Sequence, residues 1–207
     1  MMLLVFTLFC SLLWAADSNT GSARLYYTKS FPGSVPAYVA ITLTKAGEAE
    51  YREAPDEENP LKFLLPAGDV TQIFGLVEKL GYFKRPLESP AKVAFTGLKT
   101  FRFEDGSVKG EVKFNFSEDP DARTLTDWFE RMTESEQHRI NLERAVKYDK
   151  LGVLKALLQL EAAFDRKRLV ATEQFLPMLD RISKNETYMH AARVRAAGIA
   201  DSIRSGK

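Results

Sequence analysis

The sequence predicts an α+β fold: an antiparallel sheet with one covering helix, followed by an all-helical C-terminal region joined to it by a long bridging helix. Three observations predict it. Alternating segments fill the chain up to about residue 116 and are interrupted by one helical stretch. Asp105-Gly106, set between two alternating aromatic segments, is a strong hairpin signal. From Asp119 onward the apolar residues fall at three- and four-residue spacing.

Residues 3–14 (LLVFTLFCSLLW) form an uncharged apolar run followed by Ala15-Ala16 and a polar stretch, the shape of a secretory signal peptide over residues 1–16. The run is shorter than the ~20 residues a membrane span needs. Cleavage is therefore expected, with an uncleaved anchor as the alternative. Cys10 is the single cysteine and falls in this run, so an exported mature chain would rest on its core without disulfides. That favours a bacterial envelope, periplasmic or secreted. The net charge is +1. Residues 17–119 hold 13 Lys and Arg against 15 Asp and Glu, and residues 120–207 hold 16 against 13. Neither half has the basic excess that phosphate contacts need, so no nucleic acid is expected. Membrane contact is expected only through the N-terminal signal.

In chain order, residues 23–29 (ARLYYTK) read as a strand. Residues 31–36 (FPGSVP) are punctuation, because two prolines and a glycine break a ladder. Residues 37–44 alternate, with Val39, Ile41 and Leu43 on one face and Tyr38, Ala40, Thr42 and Thr44 on the other. A turn at Gly47 leads into a return strand over residues 48–53, and residues 61–65 suit a short edge strand. The covering helix is placed after Gly68 with Asp69 as its cap. Val70, Ile73, Phe74, Val77 and Leu80 form its stripe, and Gly81 stands past its end. Residues 93–95 are expected to begin a strand, and residues 98–104 and 108–116 flank the Asp105-Gly106 turn.

Asp119 and Pro120 open the bridging helix over residues 120–148: Asp accepts from first-turn amides, and Pro has no amide to leave unpaired. Leu125, Trp128, Phe129 and Met132 share one face. Residues 133–139 (TESEQHR) hold no apolar side chain, and Ile140, Leu142, Ala145 and Val146 resume the pattern. A helix apolar at both ends and polar between points to a bridge between two bodies, so domains are drawn at 17–119 and 120–207. Three more helices are expected. Asp149 caps the first, with Leu151, Leu154, Leu157, Leu158, Glu161 and Phe164 on one face. Thr172 caps the second, with a kink at Pro177. Asn185 caps the last, on which Met189, Ala192, Ala196, Ile199 and Ile203 keep the beat.

The opening of the N-terminal body reads Phe31-Pro32-Gly33-Ser34-Val35-Pro36-Ala37-Tyr38. Gly33, Pro36 and Tyr38 match the C-x-G-x-C-P-x-Y opening of a bacterial family of small exported α+β domains of unknown function, which residues 23–130 resemble. Phe31 and Val35 stand at that family's cysteines, so no disulfide or redox role carries over. The resemblance implies export and no particular activity.

Catalytic chemistry finds little to use. The two histidines, His138 and His190, have no G-x-S-x-G nucleophile elbow to serve. Two isolated histidines and no cysteine after residue 16 do not make a zinc set. Asp56-Glu57-Glu58 lacks the alternating oxygen ligands and glycine of a calcium loop. No cofactor, metal or catalytic set is expected. The aromatics Tyr26, Tyr27, Tyr38, Tyr51, Phe101, Phe103, Phe114, Phe116 and Trp128 read first as core and second as a cleft. The expected function is a non-catalytic protein-interaction or scaffold module of the bacterial envelope, docking an unknown protein partner through the bridging or last helix. The alternative is a small-molecule or lipid binder with an apolar groove between the sheet and Trp128. The candidate groove or interaction residues are Trp128, Tyr38, His138, Arg139 and Arg193.

Overall fold

The computed structural model describes residues 23–206. The expected signal (residues 1–16) and Cys10 lie outside them. Six strands form one antiparallel sheet: β1 (Arg24–Ser30), β2 (Tyr38–Thr44), β3 (Glu48–Arg52), β4 (Leu61–Leu64), β5 (Leu98–Asp105) and β6 (Val108–Phe114). Their spatial order is β4-β3-β2-β1-β5-β6. Alternation sends Leu25, Tyr27, Val39, Ile41, Leu43, Tyr51, Phe101 and Phe103 to one buried face. Tyr27 sits opposite Ile41 on one side and Phe101 on the other, which fixes the register at the centre of the core.

Two helices cover that face: α1 (Ala67–Lys79) and the first half of α2 (Pro120–Tyr148). The Asp119 side chain accepts from the amides of Asp121 and Ala122, as its cap role requires. α3 (Val153–Asp165), α4 (Leu176–Lys184) and α5 (His190–Arg204) build a second core with Leu142 and Ala145 of α2. Ala192, Ala196 and Ala200 on α5 keep its packing face small. One 29-residue helix therefore serves two cores, α+β on one side and all-helical on the other.

Several local expectations are corrected. Asp69 does not cap α1: the helix starts at Ala67 after Pro66, because the Leu65 amide bonds the Gly47 carbonyl and sets the entry. Residues 93–95 form no strand, since β1 and β6 already occupy both sides of β5, and Val93 and Phe95 are 45% and 55% exposed. The hairpin turn is Gly106-Ser107, with Asp105 paired to Val108. Asp149 bonds the Gly152 amide in a turn before α3. The inward row of α3 is Val153, Ala156, Leu157, Leu160 and Ala163, while Leu151 is 76% and Leu158 45% exposed. Thr172 opens a 3-10 turn, Thr172–Phe175, behind left-handed Ala171. Pro177 lies in the first turn of α4, where a missing amide does no harm, just after the segment changes from the 3-10 turn to an α-helix. Asn185 accepts from the Thr187 amide in a local turn, and α5 starts only at His190, behind an exposed Met189.

After α1 a 3-10 turn, Gly81–Phe83, runs beside β6. Tyr82 and Phe83 sit at φ 54 and 61, a costly backbone for bulky residues. It is held by burial of the Phe83 ring, stacked on Phe101 at 5.2 Å. Gly110 makes the approach possible, since a Cβ there would overlap the Tyr82 carbonyl oxygen. Gly110→Ala is expected to lower stability by about 2–3 kcal/mol, as overpacking against backbone does. Urea denaturation at pH 7 measures it, and a loss under about 0.5 kcal/mol would mean that the turn gives way freely.

A candidate ligand site between the first helix and the sheet

A cavity of about 570 Å³ opens between α1 and the ends of β5 and β6. Val70, Phe74 and Val77 line it from α1 at i, i+4 and i+7, one side of the helix. Phe103 and Val108 line it from the hairpin, and Tyr82 from the 3-10 turn. The left-handed backbone at Tyr82 brings its ring to 5.2 Å from Phe103, while Phe74 meets Phe103 edge-on at 6.4 Å. Gly75, mid-helix, has nothing within 4 Å of where a Cβ would stand, so α1 leaves this space open. Polar groups stand at the rim. Lys45 Nζ is 3.4 Å from Asp105 and 5.9 Å above the Phe74 ring, and Glu78 lies on the same lining. The Thr71 hydroxyl donates to the Ala67 carbonyl and serves the helix. The lining thus joins the apolar side chains of Val70, Phe74, Val77, Phe103 and Val108 to a few charged groups.

The five residues singled out from the sequence are dispersed. Trp128 is buried and does not face the sheet. Its neighbour Phe129 does, stacked on Tyr27 at 4.6 Å, because successive helical residues point ~100° apart. Trp128 instead lines a hollow of about 310 Å³ between α1 and α2, with the Arg131 guanidinium 3.9 Å over its ring. The sheet–helix chamber thus stands at Phe74 and Tyr82, away from the expected groove beside Trp128. Tyr38 is on the sheet's other face, in a hollow shared with Tyr26, Arg52 and Arg102. His138 is half-buried, and burial lowers its pKa. Neither His138 nor His190 takes part in a side-chain hydrogen bond or ion pair among the described residues. Arg193 is half-buried on α5, apart from the others.

Arg139 has a structural post. Its Nη1 donates to the Lys62 carbonyl at 3.0 Å and to Gln174 Oε1 at 3.2 Å, and its Nε donates to Glu143 at 3.0 Å. It belongs to a polar seam between the two cores. Ser135 Oγ accepts from the Val170 amide and donates to the Arg131 carbonyl, both at 2.9 Å. Gln137 donates to Tyr51 Oη and to Glu53. Arg168 clasps Asp127 and Glu134 at 2.7 and 2.9 Å. Glu136 is 0% exposed, and burial pushes its carboxyl up to about 7 against the pull of Gln174 and Arg139. Ser135 and Glu136 in the polar middle of α2 are therefore enclosed, because the chain at Val170 and Ala171 reaches back into the first core.

Lys99 is also buried. Its Nζ donates to the Gly97 and Asn115 carbonyls and to Thr96 Oγ1 at 3.3, 2.8 and 3.3 Å, which uses all three protons and makes it a structural cation. Among the described residues no group of three His, Cys, Asp or Glu is placed to hold a metal, and no helix is long and apolar enough to cross a membrane. The sequence analysis placed Phe74 on the apolar stripe of the covering helix. The available signal was Gly75, a helix breaker inside an amphipathic stripe. Neither a family model nor a curated sequence matches the chain.

Proposed function

We propose that this protein is an exported, non-catalytic binding protein of a bacterial envelope, and that it holds a small apolar ligand between α1 and the β5–β6 hairpin. The observation that carries the reading is the 570 Å³ chamber walled by Val70, Phe74, Val77, Tyr82, Phe103 and Val108. Export is supported by the uncharged apolar run at residues 3–14, followed by Ala15-Ala16. Native mass spectrometry of the full chain, isolated gently from its own host's envelope, tests it. A small extra mass bound one to one is expected, and Thr71→Trp is expected to remove it. Thr71 is an exposed wall residue, so the larger ring fills the chamber without disturbing the core. A natively folded chain with no extra mass would overturn the reading.

A second reading, a protein-docking module, draws on the helical body, where Tyr148, Leu151, Leu158 and Val194 are exposed. A polypeptide found at fixed stoichiometry in the same spectrum, and lost with Val194→Lys, would move the site there.

A further inference from the structure

We propose that the occupant of the chamber is an acyl chain of a membrane phospholipid whose head carries both a phosphate and an ammonium group; this rests on the ligand-binding reading above. Three observations converge on it.

The first is the division of chemistry within the site. The walls are aliphatic and aromatic, and the charges are confined to Lys45, Asp105 and Glu78. An amphiphile with a long apolar tail and a compact polar head has this division.

The second is the rim's sign pattern. Lys45 and Asp105 stand 3.4 Å apart, with Glu78 as a further carboxylate on the lining. Both members of the pair are about half-exposed, so each keeps open coordination for a ligand. Lys45 is the cation of the lining, and the first turn of α1 carries the Asp69 carboxylate rather than free positive charge. A phosphate is matched by Lys45, and an ammonium by Asp105 and Glu78. A purely anionic head would meet two carboxylates, and a purely cationic head would meet Lys45.

The third is where the chain enters the fold. The Lys45 amide donates to the Ala23 carbonyl at 3.3 Å, and Arg24 lies between Thr44 and Glu104. The chain before Ala23 therefore joins the body beside Lys45 and next to Asp105, at the rim of the chamber. Residues 15–22 can span at most about 30 Å. In an uncleaved chain the uncharged run at residues 3–14 stays covalently joined within that reach of the opening, so its entry into a bilayer brings the rim to lipid heads.

The test mixes the full chain with vesicles of phosphatidylethanolamine bearing self-quenching pyrene-labelled acyl chains. Excimer emission is expected to fall and monomer emission to rise, saturating at one lipid per chain. Ala46→Trp, on an exposed turn at the rim, is expected to weaken this at least tenfold. Lys45→Glu is expected to weaken it at least tenfold as well. If a soluble uncharged probe, 1-aminoanthracene, binds and is blocked by Ala46→Trp, yet no phosphatidylethanolamine leaves the vesicle, the lipid proposal is overturned and the binding reading stands. If neither binds, both fall. Equal extraction from phosphatidylglycerol vesicles, or equal binding of a free fatty acid, would overturn the head assignment. Extraction indifferent to Ala46→Trp would place the lipid elsewhere and overturn the proposal.

Discussion

Phe129→Ala is expected to lower stability by about 3–5 kcal/mol, the range for emptying a buried phenylalanine site. The Phe129 ring is fully buried, lies stacked on Tyr27 at 4.6 Å and stands 5.8 Å from Phe101. It is the point at which α2 closes the centre of the sheet, and the contact exceeds plain area burial because the rings interact with one another. Among the described residues the neighbouring Tyr27 hydroxyl is buried and has no hydrogen-bond partner. Leu158→Ala, at a 45% exposed position on α3, is expected to change stability by under about 0.5 kcal/mol. Urea denaturation of both variants decides the matter. A Phe129→Ala loss as small as that of Leu158→Ala would mean that α2 does not seat on the sheet as described.

Glu136→Gln is expected to act in the opposite direction, by a gain that grows as pH rises from about 4.5 to about 7. Burial raises the Glu136 carboxyl from 4.5 to about 7. Between those values the folded chain binds a proton that the unfolded chain has released. The resulting stability is fully present below about pH 4.5 and is lost as pH rises through about 7. At about 1.4 kcal/mol per pKa unit the loss reaches roughly 3–4 kcal/mol by pH 8. The amide cannot ionise, so it should recover that amount. The melting temperature of Glu136→Gln is expected to exceed that of the unsubstituted protein by roughly 6–15 °C at pH 8. The two should coincide near pH 4.5. Scanning calorimetry across this range reads the difference between the two proteins, in which other carboxylates cancel. A gap that stays constant with pH would show that Glu136 is not held in the seam as an acid.

The sequence made the large elements legible because each carries a repeated pattern or an unambiguous start. Asp119-Pro120 placed the first residue of α2, and alternation from Tyr38 to Thr44 assigned both faces of β2 correctly. Expectations failed where one residue's local preference was weighed against tertiary geometry. Asp149 and Asn185 are good cap residues, but both spend their oxygens on short turns before the next helix begins. Leu151 and Leu158 promised an inward stripe on α3, yet the smaller Ala156 and Ala163 lie inside, where the neighbouring helices approach. TESEQHR read as the polar middle of a bridge between two bodies. Its Ser135 and Glu136 are enclosed because Val170, 35 residues further on, returns to donate to Ser135. No window of local sequence contains that contact. The candidate site was half legible for the same reason. Phe74 was recognised as apolar, but its place on an open chamber depends on Gly75, on the left-handed turn at Tyr82 and on the hairpin opposite.

The two margins of the sheet have a consequence for how this protein meets its own copies. At one margin, β4 is only four residues long, and Arg139 donates to the outward carbonyl of Lys62. At the other, the 3-10 turn lies along Gly110, and beyond the end of β6 Glu88 accepts from the amides of Asn115 and Phe116 while the Ser89 amide donates to the Phe116 carbonyl. Each border is covered over part of its length, which shortens the run of free donors and acceptors on which another strand could zip. Fibril-like growth by strand exchange is thereby discouraged even though the sheet is rich in aromatic side chains, and a crowded compartment can hold many copies of the folded chain side by side without their sheets merging.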